Sequence, residues 1–325
     1  MTERVLITGG AGFIGARLAA RHLAEGSEVH IVVRPGSSSL GIDGVTTHAI
    51  DLSDRYDVED CVAAARPTLI YHLASDSGRG NPPPEPNRRA LLGDLDNLIA
   101  LLAAAVSVRP PLKAFIRAGS LAEYGDGATP SDEDQREQPL SPYTAAMVAG
   151  AHYCRMLQPQ LPFPVRTARL ALTYGPGQSR TFLLPWLIDR CLAGEDSMIN
   201  APLARRDMIF IEDAIDGLRR LAAADRAGCA IVNLSSGMAP TVRDIADLVA
   251  RSCGYDPARL HFGNAAGRGA RTIWGSNARA FAQLGWRPAV SLRDGVARTV
   301  RAHRAARLPD RVAVPTAASA MAASA

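Results

Sequence analysis

The hydrophobic pattern changes period along the chain. Short β-branched and apolar runs alternate with stretches in which apolar residues recur every three or four positions. Val5–Thr8, Val29–Val33, Thr46–Ala49, Leu69–Leu73, Ala114–Ala118 and Val165–Leu172 read as strands. Ile14–Ala24, Val58–Ala65, Leu91–Ala105 and Tyr143–Leu157 read as helices between them. Successive strand–helix units of this length predict an α/β fold with a doubly wound parallel sheet. The proline-rich segments Asn81–Pro86 and Gln158–Pro164 read as loops. Beyond about Gly175 the pattern shifts: helices at Phe182–Ala193, Ile211–Ala224 and Val242–Ser252 are separated by single short strands such as Ala230–Leu234. Residues 1–174 are therefore expected to form mainly the doubly wound domain, and 175–306 mainly a smaller C-terminal lobe. The Ala- and Ser-rich residues 307–325 have no periodicity and are expected to be disordered.

Composition narrows the function classes. The 325 residues suffice for a large core, and 47 % hydrophobic with 5 % aromatic residues is an ordinary globular balance. The formal net charge is +4, carried by scattered arginines without a basic block, so no nucleic-acid partner is expected. Lys113 is the only lysine in the chain. A charged Met1–Arg4 runs straight into the first strand, unlike a signal peptide, and the longest apolar stretch, Leu98–Val108, is too short to span a bilayer. A cytoplasmic protein with no membrane partner is expected. The five cysteines, Cys61, Cys154, Cys191, Cys229 and Cys253, are widely spaced and read as buried reduced thiols, with no metal site.

The strongest local signal is Thr8-Gly9-Gly10-Ala11-Gly12-Phe13-Ile14-Gly15, placed between a strand and a helix. Glycine permits the tight turn, close approach to a pyrophosphate and helix–strand packing, while the helix N-terminus offers free N–H groups to phosphate. At the tip of the second strand, an acidic residue would bind the ribose hydroxyls of NAD. This chain has Arg34, followed by Pro35-Gly36 and Ser37-Ser38-Ser39. A guanidinium pairs bidentately with a phosphate, so NADP(H) is favoured, with NAD(H) as the alternative.

Further blocks resemble the extended short-chain dehydrogenase/reductase family, the NAD-dependent epimerases and dehydratases that modify nucleotide sugars on a Rossmann fold. They are Asp51-Leu52, His72-Leu73-Ala74-Ser75, Ala118-Gly119-Ser120-Leu121-Ala122-Glu123-Tyr124-Gly125, Ser141-Pro142-Tyr143, Tyr174-Gly175-Pro176-Gly177, Arg205–Asp213 and Leu284-Gly285-Trp286-Arg287-Pro288. The resemblance spans about Val5 to Val300. It implies adenine contact at Asp51 and Leu52, a cofactor wall at Leu73, Ala74 and Ser75, and catalytic roles for Ser120 and Tyr143. It also implies diphosphate binding at Arg206, with Arg268 or Arg271 as a second arginine, and a homodimer paired through the helices at Leu91–Ala105 and Tyr143–Leu157.

The chemistry can be argued from the side chains. A carbonyl accepting hydride develops negative charge on oxygen and needs a hydrogen-bond donor and a proton source there. Ser120 and Tyr143 suit these two roles. The family's tyrosine is followed four residues later by lysine, and here that position holds Met147, on the same helix face as Tyr143. A phenol without that lysine has a pKa near 10, leaving about one in a thousand ionised at neutral pH. It is a poor base and an adequate proton donor. Met147 therefore points to reduction, and the expected activity is an NADPH-dependent ketoreductase acting on a nucleotide-activated 4-keto-6-deoxy sugar. A nucleotide-sugar epimerase or dehydratase, or a non-catalytic NADP(H)-binding regulator, are the alternatives. The family's asparagine that often contacts substrate is replaced by Leu172, following Arg169, and the asparagine expected near the start of the fourth helix is replaced by Leu91.

Overall fold

The computed structural model describes residues 2–37, 42–75, 88–224, 230–263 and 271–307. In chain order the strands are β1 (Arg4–Thr8), β2 (Glu28–Val33), β3 (Val45–Ala49), β4 (Leu69–His72), β5 (Ala114–Ser120), β6 (Val165–Leu170), β7 (Leu172–Tyr174), β8 (Ser197–Ile199), β9 (Met208–Phe210), β10 (Ile231–Leu234) and β11 (Leu260–Phe262). The helices are α1 (Phe13–Ala24), α2 (Arg55–Ala65), α3 (Arg88–Val106), α4 (Pro142–Leu157), α5 (Leu183–Ala193), α6 (Ile211–Ala223), α7 (Val242–Cys253), α8 (Ala278–Leu284) and α9 (Leu292–Arg307).

Seven strands form one parallel sheet in the order β10-β6-β5-β4-β1-β2-β3. Val5, Leu6 and Ile7 in β1 are wholly buried, because a central parallel strand is covered on both faces. Leu18 and Ala19 of α1 and Leu218 and Leu221 of α6 pack on one face. Val58 of α2, Leu98 and Leu101 of α3 and Cys154 of α4 pack on the other. From β1 the chain builds outward through β2 and β3, then crosses to β4. The strand order thus switches between β1 and β4, opening a crevice at their C-terminal ends where ligands of such sheets bind.

Two strand expectations need correction. The run Val165–Leu172 is not one strand. It breaks at Ala171, whose N–H still bonds the Leu234 carbonyl, while Leu172 turns to the Asp207 carbonyl and starts the β7–β9 pair. The segment expected as a lobe strand, Ala230–Leu234, is β10, which closes the edge of the main sheet against β6. Its pairing partner lies some sixty residues upstream, which no local pattern records. The second lobe is α5, α7 and α9 with the small β8–β11 and β7–β9 pairs. Cys61, Cys154, Cys191 and Cys253 are buried free thiols. Cys229 and the tail 308–325 lie outside the described residues. Among the described residues, no helix is long and apolar enough to cross a membrane, and no cluster of side chains could hold a metal ion.

Candidate active site

The glycine turn sits at the β1–β4 crevice. Gly9 has φ +68°, and a Cβ there would lie 2.9 Å from the Ala74 nitrogen. A Cβ on Gly10 would strike Ile31 at 2.4 Å, and one on Gly15 would strike the Gly9 carbonyl at 2.2 Å. The turn is thus pressed onto β2, β4 and the start of α1. Gly12 differs: its Cβ would meet only the Gly9 carbonyl, at 3.1 Å, and it is exposed. Gly12 is also the N-cap of α1, with no capping side chain and no acidic residue in the first turn. The helix therefore presents unsatisfied N–H groups beside an open glycine face, which fits a dinucleotide pyrophosphate. Phe13 and Ile14 follow, partly buried against the core.

Leu73 and Ala74 are tied to the turn by bonds from their N–H groups to the Thr8 carbonyl and hydroxyl, at 3.2 Å each. Asp51 is exposed and accepts the Ser53 N–H and hydroxyl at 2.9 and 2.8 Å. The Leu52 side chain is buried in the core, leaving its backbone for any adenine contact. Arg34 to Ser37 form a turn closed by the Ser37 N–H on the Arg34 carbonyl at 3.0 Å, with Gly36 at φ +77°. Arg34 and Ser37 are exposed. Ser38 and Ser39 lie outside the described residues.

Ser120 ends β5 and caps a short helical turn, Leu121–Tyr124. Its hydroxyl accepts the Ala122 N–H at 3.1 Å, so its own proton is free for a substrate oxygen. Its backbone N–H donates to Glu123 Oε1 at 2.8 Å. Glu123 is fully buried and pairs with Arg169 Nε at 2.9 Å, while Arg169 Nη2 also reaches Glu137. The Arg169 guanidinium stacks over the Tyr124 ring at 4.5 Å. Arg169, Glu123 and Glu137 form a buried ion network under Ser120, a role that sequence reading did not assign to them.

Helix α4 begins at Ser141, whose hydroxyl accepts the Thr144 N–H at 3.2 Å, and Pro142 occupies its first turn. This fixes Tyr143 one residue into the helix. Tyr143 is partly buried, and the Ser75 hydroxyl, which influences its phenol, donates to Asp94 at 2.6 Å. Burial pushes the Tyr143 phenol above its ordinary value, and the Asp94 and Glu123 carboxylates add to this. The Arg117 guanidinium and the Ser75 bond oppose them. Met147 is buried, one turn further along α4. Lys113 is exposed and pairs with Glu3 at 3.2 Å, outside the site, so no lysine serves Tyr143. A small cavity lies between α3, α4 and the sheet, lined by His72, Ala74, Asp94, Arg117 and Met147 among others. Asp94 and Arg117 were not singled out from sequence.

The substrate-side residues are less converged. Arg206 donates to the carbonyls of Arg205 and Arg271, so these two predicted arginine positions adjoin. Burial lowers the Arg206 guanidinium from its ordinary value, and among the described residues no carboxylate neutralises it. The Arg271 side chain is exposed and 3.6 Å from Asp126. Arg268 and the Leu91 side chain lie outside the described residues. Leu172 is partly exposed at the start of β7.

Residues 5–235 match the NAD dependent epimerase/dehydratase family. The chain is 28 % identical over 322 residues to UDP-glucose 4-epimerase of Mycolicibacterium smegmatis, covering 93 % of this chain and 98 % of that one. It is also 28 % identical over 309 residues to a dTDP-6-deoxy-L-talose 4-dehydrogenase (NAD(P)+) of Kitasatospora kifunensis, covering 90 % and 93 %. The solved UDP-glucose 4-epimerase of Thermotoga maritima, with UDP-glucose, superposes at a TM-score of 0.84 with 23 % identity, covering 93 % of this chain and 99 % of that one.

Proposed function

The chain belongs to the NAD dependent epimerase/dehydratase family, and we propose that within it the protein is an NADPH-dependent ketoreductase acting on a nucleotide-activated 4-keto-6-deoxy sugar. It is an NAD(P)-dependent enzyme of the extended short-chain dehydrogenase type, a family whose members include nucleotide-sugar epimerases, dehydratases and reductases. The observation that carries the narrower reading is Tyr143. Its phenol is held protonated by burial and two carboxylates, and Met147 stands where a lysine would ionise it. Such a group stands almost wholly in its acid form at neutral pH, so it is present as a proton donor and scarcely present as a base. Epimerisation and dehydration begin by removing a hydroxyl proton, whereas ketone reduction ends by delivering one. A relative that acts as a 4-dehydrogenase on a dTDP-6-deoxy sugar supports this direction, since the reverse of its reaction is reduction of a 4-keto sugar.

In this reading the pyrophosphate lies on Gly9, Gly12, Phe13, Ile14 and Gly15, and Arg34 with Ser37 takes the 2′-phosphate. Asp51 and the Leu52 backbone meet the adenine, and Leu73, Ala74 and Ser75 form the wall beside the nicotinamide ribose. Bound NADPH supplies the hydride. Ser120 donates a hydrogen bond to the ketone oxygen, and Tyr143 passes its proton to that oxygen as the alkoxide forms. Arg206 receives the sugar-nucleotide diphosphate, its unpaired charge being suited to that dianion. Arg271 stands beside it, and Arg268 is the remaining candidate. A homodimer through α3 and α4 follows the same family pattern.

The test is to offer purified protein a set of nucleotide-linked 4-keto-6-deoxy sugars with NADPH and follow absorbance at the dihydronicotinamide band. Stoichiometric NADPH consumption with formation of the 4-hydroxy sugar is expected. Ready epimerisation or dehydration at neutral pH with no net NADPH use would overturn the reading.

A further inference from the structure

We propose that Asp207 is a positioning residue for the substrate diphosphate: its buried carboxylate gathers the two chain segments that surround Arg206, and so fixes that guanidinium where the diphosphate binds. This rests on Arg206 being the diphosphate ligand.

The placement begins at the entry to β9. Arg206 bridges to Ile273 in parallel, and the Asp207 N–H donates to the Ile273 carbonyl at 2.7 Å, so the chain is extended here. Neighbouring side chains on an extended segment point to opposite sides. Arg206 is accordingly partly exposed, while Asp207 is wholly buried. The Arg206 N–H bonds the Pro240 carbonyl at 3.0 Å. Its Nη1 donates to the carbonyl of Arg205 at 2.8 Å and to that of Arg271. Arg206 is thus set by two distant segments, the turn after β10 and the stretch 271–275.

The Asp207 carboxylate ties those same two segments together. Oδ1 accepts the Ser236 N–H at 2.8 Å and the Ser236 hydroxyl at 2.7 Å. Oδ2 accepts the Gly275 N–H at 3.3 Å. The Asp207 carbonyl also takes the Leu172 N–H at 3.1 Å, which joins β7 to the knot. All the carboxylate's bonds come from N–H and O–H groups, and among the described residues no cation pairs with it. Burial pushes the carboxyl up to about 6, and its bonds from Ser236, Gly275 and Gly237 hold it back. It is therefore ionised at pH 7.5.

A buried carboxylate without a cation is costly, and an asparagine of the same shape would avoid most of that desolvation. The charge adds stronger bonds to three donors than a neutral amide makes. An amide would also turn its NH2 toward the Gly275 N–H, which needs an acceptor. Only a carboxylate holds both segments at once. The effect then reaches the ligand. Arg206 spends Nη1 on two backbone carbonyls, and its other nitrogens have no partner among the described residues. A cation ordered in advance loses little rotamer freedom on meeting an anion. The two charges are neighbours in the chain and point opposite ways, so the carboxylate that fixes Arg206 does not quench it. If the 271–275 stretch shifts, the carbonyl that holds Nη1 shifts with it.

The competing role for Asp207 is a structural knot with no bearing on binding, and measurements on folded protein separate the two. With the cofactor site filled by NADPH, UDP, dTDP and GDP are titrated at pH 7.5 by calorimetry. The proteins are wild type, Arg206→Met, Asp207→Asn and Ser236→Ala, each checked for a cooperative melt. The diphosphate that wild type binds best should bind about tenfold more weakly to Asp207→Asn. Ser236→Ala, which loses one neutral donor, should bind it about threefold more weakly. NADPH affinity should stay within about twofold in both, and in turnover the loss should appear in KM for the sugar nucleotide with kcat kept. An unchanged diphosphate affinity in folded Asp207→Asn overturns the proposal, whatever the fall in Tm, because that is the result of a knot alone. Should Asp207→Asn not fold, Ser236→Ala decides, and an affinity equal to wild type overturns the proposal. If wild type binds no diphosphate, or Arg206→Met binds it as tightly as wild type, the Arg206 reading fails and the Asp207 assignment falls with it.

Discussion

Replacing Arg169 by methionine is expected to loosen the floor of the active site without disturbing the nucleotide turn. Arg169 and Glu123 are both fully buried and paired at 2.9 Å, and Glu137, nearly buried, takes the second arm of the guanidinium. Methionine preserves the stem and much of the contact with the Tyr124 ring. It leaves two carboxylates without their cation, and breaking a buried pair in this way costs about 3–5 kcal/mol. In a chain of this size that corresponds to a fall in Tm of about 4–7 °C at pH 7. Burial raises the Glu137 carboxyl, but its bond to Arg169 and other partners bring the net value below the ordinary one. A depressed carboxylate contributes stability that is present above its unfolded pKa and lost as pH falls through the folded value. The gap between variant and wild type should therefore narrow below about pH 4.

The functional readout lies at Ser120, whose N–H is held by Glu123. With Glu123 released, the hydroxyl loses its fixed position, and kcat should drop about tenfold while NADPH affinity is kept. Calorimetry or thermal-shift fluorescence at pH 7 and pH 4 measures the first effect, and initial rates measure the second. Pairing Arg169→Met with Glu123→Gln should recover part of the lost stability, because the stranded charge is then gone. A Tm within about 2 °C of wild type at pH 7 would refute the reasoning.

Cofactor choice follows from Arg34: NADPH should bind at least about tenfold more tightly than NADH by fluorescence titration, and Arg34→Ala should abolish the difference. Tyr143→Phe keeps the ring and should retain NADPH binding while turnover falls about a hundredfold or more; Ser120→Ala should lose a smaller factor. Since the folded environment raises the Tyr143 phenol, oxidation of the alcohol product should be slow at pH 7 and climb steadily on the alkaline side, and a flat profile would count against Tyr143 as the group that titrates.

What the sequence discloses and what it conceals follow from the range of the forces involved. The glycine turn, the strand tips and the start of α4 at Ser141-Pro142 depend on residues close in the chain, so their patterns are legible there. The pairing of β10 with β6, and the break at Ala171, depend on partners far along the chain and leave no local trace. Arg117 lies between these cases. It stands in an otherwise apolar strand, Ala114-Phe115-Ile116-Arg117-Ala118, and a run of that kind in a parallel sheet is buried on both sides. A charge there has to find a partner or act on one. Arg166 and Arg169 in β6 carry the same signal, and both resolve into buried contacts, with backbone carbonyls and with Glu123 and Glu137. Reading Met147 only against its helix neighbours makes it a loss, because positions three and four residues apart are all that the pattern compares. In the fold Met147 meets Arg117, which enters from a strand thirty residues earlier through the gap that Gly150 leaves. A charge in a buried parallel strand is thus read only together with the helix packed over it, here the Met147 carbonyl that takes the Arg117 guanidinium.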